Sequence, residues 1–261
     1  MLPISDFIKG KNSEGKKVLS VFLTSGFPDP KSFTELALKI LDAGADMLEI
    51  GFPFSDPLAD GPVIQHSSNT ALQKGINLEK TFGYVKQIRE KTEKPLILMG
   101  YANPVMSYGI KKFAEDCKSS GVDGLIIPDV PLEEYESFFT PDFNGLEKIL
   151  LISPTTNDER IRLTDDKSSG FVYCVSVSGT TGNEKAEKDI EFIEHSRSIL
   201  KKNKMLVGFG ISSEEDVRKY SPFCDGVIVG SAVIKSLMED DDTTEAVKRT
   251  LNLVKRLKAA L

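Results

Sequence analysis

The chain of 261 residues has only two histidines, His66 and His195, and three cysteines, Cys117, Cys174 and Cys224. With no CxxC pair and so few imidazoles, a metal site has almost no ligand set to draw on, and none is expected. An odd number of widely spaced cysteines also argues against a disulfide framework and points to structural thiols in a reducing compartment. There is no basic block and no RNA-binding aromatic motif, and the net charge is −6, so no nucleic-acid partner is expected. The N-terminus, MLPISDFIKGKNSEGKK, lacks the apolar core of a signal peptide. No segment approaches the ~20 apolar residues of a membrane span. These absences describe a cytoplasmic protein with no membrane partner. The 40% apolar fraction that is present suffices for a sizeable core.

Eight short β-rich runs recur along the chain: VLSVFLT (18–24), DMLEIGF (46–52), PLILMGY (95–101), GLIIPDV (124–130), KILLISP (148–154), FVYCVSV (171–177), KMLVGFG (204–210) and DGVIVGS (225–231). Each precedes a segment with helical periodicity. In KSFTELALKILDAG (31–44), for example, Phe33, Leu36, Leu38, Ile40 and Leu41 form an apolar stripe and Gly44 supplies a stop. Strands alternating with helices imply parallel pairing, and eight such units in this length fit an α/β fold of the closed (β/α)8 TIM-barrel type. The competitor is an open doubly wound sheet, which would carry a glycine-rich nucleotide turn after its first strand; TSGFPDP does not match GxGxxG. Residues 3–10 read as an extra helix before the first strand. After the second strand there is room for two helical pieces, VIQHSSNTALQKG and NLEKTFGYVKQIREK, joined around Gly75 and Ile76. No low-complexity linker interrupts residues 1–261, which are expected to form a single barrel domain.

The stretch LEIGFPFSDPLADGPVIQ (48–65) carries the chemistry. A carboxylate, Glu49, stands in an apolar strand, where a charge is costly unless satisfied or used. Strand alternation puts Glu49 on one face with Met47 and leaves Leu48 and Ile50 for the outer helices, which aims Glu49 into the barrel mouth. No Lys or Arg lies near the mouth end of any strand to pair with it. A carboxyl among apolar groups is expected to have a raised pKa, suited to moving protons near neutrality. Two further acids, Asp56 and Asp60, sit in the following loop. Both fit ordinary turn chemistry, but Asp60 lies close to the helix start and could face the same cavity.

A second constellation is a set of glycine turns, VSGTTG (177–182), GFGIS (208–212) and VGSAV (229–233), after the last three strands. A phosphate held by the last loops of a barrel needs glycines for close backbone approach, and often a hydroxyl at a helix start. Gly210, Gly230 and Ser231 fit that requirement.

These motifs together resemble the tryptophan synthase α-subunit family, whose signature around the second strand reads approximately LEIGxPFSDPxADGPxIQ. The likeness continues through TSGFPDP (24–30), MGYANP (99–104), PDVPLEE (128–134), GTTG (179–182), GFGIS (208–212) and GSA (230–232), in order along nearly the whole chain. The resemblance implies a lyase that splits indole-3-glycerol phosphate into indole and glyceraldehyde 3-phosphate by retro-aldol cleavage. By position, Glu49 matches the family's catalytic acid–base and Asp60 its second catalytic carboxylate. Phe22, Tyr101 and Tyr173 match residues flanking the substrate. Thr181 matches a threonine of a mobile loop, and Gly182, Gly210, Gly230 and Ser231 match phosphate-binding positions. Three positions depart from the pattern: Thr180 stands where Val is common, Val177 where some relatives have Arg, and Thr70 where Arg is expected.

The resemblance also implies no cofactor on this subunit, and a separate β subunit, using pyridoxal phosphate, in an α2β2 heterotetramer. That partner is expected at the catalytic face, with Asp56 and Asp129 as candidate contacts. The competing readings are a stand-alone indole-releasing lyase or other phosphate-sugar barrel, and a non-catalytic scaffold. The intact pair Glu49 and Asp60 argues against the scaffold.

Overall fold

The computed structural model describes residues 2–175, 183–208, 210–239 and 243–261. The strands among them are β1 (Val18–Thr24), β2 (Met47–Gly51), β3 (Leu96–Met99), β4 (Gly124–Ile126), β5 (Glu147–Lys148), β6 (Leu150–Ile152), β7 (Phe171–Val175), β8 (Lys204–Gly208) and β9 (Gly226–Val229). All the pairings between them are parallel, in the order β5-β4-β3-β2-β1-β9-β8-β7-β6. The two ends of that row, β5 and β6, are separated along the chain by Ile149 alone. They are therefore one run that pairs first with β4 and then with β7, and the sheet closes on itself. Nine strands make the eight staves of a (β/α)8 barrel. Strands so enclosed are buried on both faces, which is why β1 and β2 are buried along their whole length.

The helices, in chain order, are α1 (Ile4–Ser13), α2 (Phe33–Asp42), α3 (Pro62–Gln73), α4 (Leu78–Arg89), α5 (Ala102–Tyr108), α6 (Ile110–Ser120), α7 (Tyr135–Phe138), α8 (Asp158–Lys167), α9 (Asn183–Ile199), α10 (Glu214–Tyr220), α11 (Ser231–Met238) and α12 (Thr243–Ala259). The extra helix α1 buries Ile4 and Ile8 completely, and its Ile4 N–H donates to Glu147 Oε2 at 2.6 Å. In α2 the buried stripe is Phe33, Leu36, Ala37, Ile40 and Leu41, while Leu38 is only partly covered. The two helical pieces after β2 are α3 and α4. The chain turns between them at Gly75, with φ +73°, and Asn77 caps α4 by accepting the Lys80 N–H.

Several predicted runs overreach at their C-terminal ends. The third stops at Met99 and the fourth at Ile126, because the chain there leaves the ladder for the site. Pro128 has no N–H to offer a neighbouring strand. Helix α5 was not foreseen; the Asp129 carboxylate accepts the N–H of its first residue, Ala102, at 2.9 Å.

The opposite end of the barrel is fastened by a repeated device. The residue just before an even stave accepts a backbone N–H from the start of the preceding one. Asp46 accepts from Leu19 at 2.9 Å, Asp123 from Leu96 at 2.8 Å and Asp225 from Met205 at 2.9 Å. At the divided stave the hydroxyls of Ser169 and Ser168 do the same for Lys148 and Leu150. Cations back the carboxylates, Lys258 on Asp46 at 2.6 Å and Arg89 on Asp123. Stability is thus concentrated at the end away from the βα loops, which leaves the other end to function.

All three cysteines are buried and unpaired. Among the described residues no group of His, Cys, Asp and Glu could hold a metal ion, and no helix is long and apolar enough to cross a membrane.

Candidate active site

Glu49 is the central residue of β2, paired across the sheet with Phe22 on β1 and Ile97 on β3. Its side chain is fully buried, with 0% exposure. Oε1 accepts a hydrogen bond from the Ser20 hydroxyl at 2.7 Å, and Oε2 is buried with no hydrogen-bond partner. Burial pushes the Glu49 carboxyl up to about 7, partly offset by the Ser20 bond. A carboxyl in this state can give or take a proton near neutral pH.

That placement has a stability consequence. Between the ordinary value of 4.5 and about 7 the folded chain keeps a proton on Glu49 that the unfolded chain has released. Stability therefore falls as pH rises through this window, and the full penalty is present above it. Glu49→Gln has no charge to bury, so it is expected to be more stable than the wild type at pH 8 by about 2–3 kcal/mol, allowing for the amide's own unmet donor. The gain should vanish near pH 4, and urea unfolding at the two pH values reads the difference.

Asp60 lies in the loop between β2 and α3, half-buried, with its carboxyl pushed up to about 6 by burial against the opposing effect of the Tyr101 hydroxyl. That hydroxyl accepts the Ala59 N–H at 3.1 Å, and the Gln65 side-chain amide donates to the Asp60 carbonyl at 2.9 Å. The start of the same loop is tied to α3 by Ser68, which accepts the Phe54 N–H at 2.9 Å and donates to its carbonyl at 3.0 Å. The loop is thus fixed at both ends of the segment that presents Asp60.

Two aromatic rings shape the walls, and glycines make room for them. The Phe22 ring occupies the space a Cβ at Gly51 would take, and the Tyr173 ring does so at Gly208. Tyr173 is buried, and burial, followed by the charges of Glu49 and Asp60, raises its phenol well above the usual range. It is therefore a neutral ring close to both carboxyls.

On the same cleft, Gly230 precedes the first residue of α11, Ser231, and Gly210 follows β8 with φ +87°. A helix start with a neighbouring glycine turn offers backbone N–H groups and a positive dipole end to an anion. Glu49, Asp60, Phe22, Tyr173, Gly210, Gly230 and Ser231 all line one cleft of about 290 Å³. Tyr101 is not on its wall. It borders a recess of about 20 Å³ that shares Phe22, Asp60, Ile64 and Met99 with the cleft. The resemblance sets Tyr101 among the residues flanking the substrate; in the structure its hydroxyl accepts from the loop that presents Asp60.

Thr181 and Gly182, with Val177 and Thr180, lie outside the described residues. Asp56 is exposed and accepts a hydrogen bond from Ser55; Asp129 is exposed and occupied at the start of α5. The Thr70 hydroxyl faces His66 Nε2 at 3.5 Å. Sequence reasoning missed Ser20 and the apolar lining residues Ile64, Met99, Ile211 and Ile228. Ser20 had left a trace, a hydroxyl flanked by Val18, Leu19, Val21 and Phe22 in the apolar run VLSVFLT.

The family model described as tryptophan synthase alpha chain matches residues 8–261. The chain belongs to the tryptophan synthase alpha chain family. Among curated relatives, the tryptophan synthase alpha chain of Christiangramia forsetii is 40% identical over 256 residues, covering 97% of this chain and 98% of that one. The tryptophan synthase alpha chain of Thermoanaerobacter pseudethanolicus is 42% identical over 252 residues, covering 95% of each. Among solved structures, tryptophan synthase subunit alpha from Legionella pneumophila superposes with a TM-score of 0.90 at 34% identity, over 100% of this chain and 98% of that one. A chain of tryptophan synthase from M. tuberculosis, in its aminoacrylate-bound form, gives a TM-score of 0.87 at 28% identity over 98% of each. For a tryptophan synthase alpha chain, the cleft described above lies where the fold places its chemistry, at the C-terminal ends of the strands.

Proposed function

We propose that Glu49 and Asp60 are the working carboxyls of a carbon–carbon lyase. As a member of its family, the chain cleaves indole-3-glycerol phosphate to indole and glyceraldehyde 3-phosphate in tryptophan biosynthesis. The observation that carries the residue assignment is the state of Glu49: fully buried, its carboxyl pushed up to about 7, and with one oxygen unpartnered, in a cleft that Gly210, Gly230 and Ser231 also line.

In this reading protonated Glu49 delivers its proton to indole C3. The bond between C3 and the glycerol side chain then breaks, and its electron pair returns to the ring. The hydroxyl on the carbon released becomes the aldehyde, and its proton passes to the Glu49 carboxylate. One proton is given and one is taken, so Glu49 ends as it began. Asp60 accepts a hydrogen bond from the indole N–H and steadies the positive charge that protonation creates. Phe22 and Tyr173 enclose the ring. Gly210, Gly230 and Ser231, together with Thr181 and Gly182, hold the phosphate, whose binding energy fixes the reacting carbon. The proton chemistry asks for no cofactor or metal on this chain.

A single barrel domain over residues 1–261, acting in the cytoplasm, hands indole to a β subunit that uses pyridoxal phosphate, within an α2β2 assembly. The docking face includes the Asp56 and Asp129 loops. Leu58, 93% exposed, lies in the same loop as Asp56. The test is a steady-state assay of indole release from indole-3-glycerol phosphate, with and without a β subunit. Indole release by the wild type is expected, and co-purification of the two folded subunits. No release even with the partner overturns the reading, and no association removes the assembly.

A further inference from the structure

Strand β1 sets a hydroxyl in the barrel interior directly beneath Glu49. Phe22 pairs with Glu49 and Ser20 with Met47, so Ser20 lies on the same face one side-chain layer deeper. Ser20 is itself completely buried, in a strand whose other residues to Leu23 are apolar. A buried hydroxyl needs a partner, and this one donates to Glu49 Oε1 at 2.7 Å. The groups that face Glu49 from the other packed elements are Asp60 from the loop after β2 and Tyr173 from β7, with apolar Ile97 and Met99 on β3 and Ile228 on β9.

We propose, resting on the reading of Glu49 as the proton-transfer group, that Ser20 is a positioning residue of the reaction: it holds Oε1, so that Oε2 is the oxygen that carries and delivers the proton. The chemistry follows from the donor inventory. A protonated carboxyl has one hydroxyl oxygen and one carbonyl oxygen. With the Ser20 O–H aimed at Oε1, a proton on that same oxygen would set donor against donor, so the acidic proton resides on Oε2. Once it has left, the Ser20 bond becomes charge-assisted and stronger, which favours release and opposes the upward push of burial. Ser20 thereby fixes both which oxygen works and how readily it works.

The test combines indole release with a direct 13C NMR titration of the Glu49 carboxyl in wild type, Ser20→Ala and Ser20→Thr. Ser20→Ala is expected to lower kcat about 10-fold with KM nearly unchanged, and to move the Glu49 midpoint up by about one pH unit. Ser20→Thr keeps the hydroxyl, suits a strand, and should restore both. A merely structural serine would lower Tm but leave the midpoint in place. An unmoved midpoint in Ser20→Ala overturns the proposal, as does an equal loss of kcat in both variants. If Ser20→Ala does not fold, Ser20→Cys, a weak donor of similar size, must show the same upward shift. A wild type that releases no indole defeats the reading of the site, while the titration still decides whether Ser20 holds Glu49.

Discussion

Glu49→Gln is expected to lower kcat for indole release by about 10³-fold or more, with KM changed little. Glutamine has nearly the same shape, and its side-chain oxygen can still accept the Ser20 hydroxyl now on Oε1. The barrel and the substrate pocket therefore persist. What is lost is the ability to move a proton, which serves the cleavage twice, at indole C3 and at the departing hydroxyl. A buried amide cannot be replaced by bulk water, because the carboxyl position is wholly enclosed. Steady-state kinetics on the purified variant check this, and retained activity would show that another group is the base.

Asp60→Asn is expected to cost less, about 10²-fold in kcat, again with little change in KM. Asn preserves the volume and can still meet the Tyr101 hydroxyl through its side-chain oxygen, so the loop from Ala59 to Gln65 keeps its frame. It removes the negative charge that would face the indole N–H as the ring becomes positive. The loss should appear where Asp60 is ionised in the wild type. With its carboxyl up at about 6, the wild-type advantage should shrink as pH falls through that value, since a protonated Asp60 differs little from an asparagine. A ratio of wild-type to variant kcat that is flat from pH 5 to 8 would contradict the assignment of this role.

The barrel was legible because its strands are short apolar runs bounded by polar residues; β1 begins after Lys16 and Lys17 and ends at the Ser25–Gly26 turn, and its limits match the predicted run. Glu49 was legible for the opposite reason, as a charge where a strand should be apolar. Helix α5 was hidden, since ANPVMSY is seven residues long, carries Pro104 and has no room for a helical period. The division of the fifth stave at Ile149 was also hidden, because a change of pairing partner leaves no mark in hydrophobic pattern. The role of Ser20 was hidden for a related reason: the hydroxyl is visible in the run, but its bond to Glu49 depends on the register of β1 against β2, which one strand's sequence does not contain. The bond from the Ala59 N–H to the Tyr101 hydroxyl was hidden in the same way, because it follows from the path of the loop after β2 and not from the end of a strand.

The most direct measurement of the central claim is the 13C NMR titration of the Glu49 carboxyl in the free wild-type chain, assigned by the resonance that disappears in Glu49→Gln. The account predicts a midpoint at about 7, set by complete burial with one hydrogen bond on Oε1 and none on Oε2. A midpoint at or below the ordinary 4.5 would mean that Glu49 is a stabilised carboxylate at neutral pH, with no proton to give.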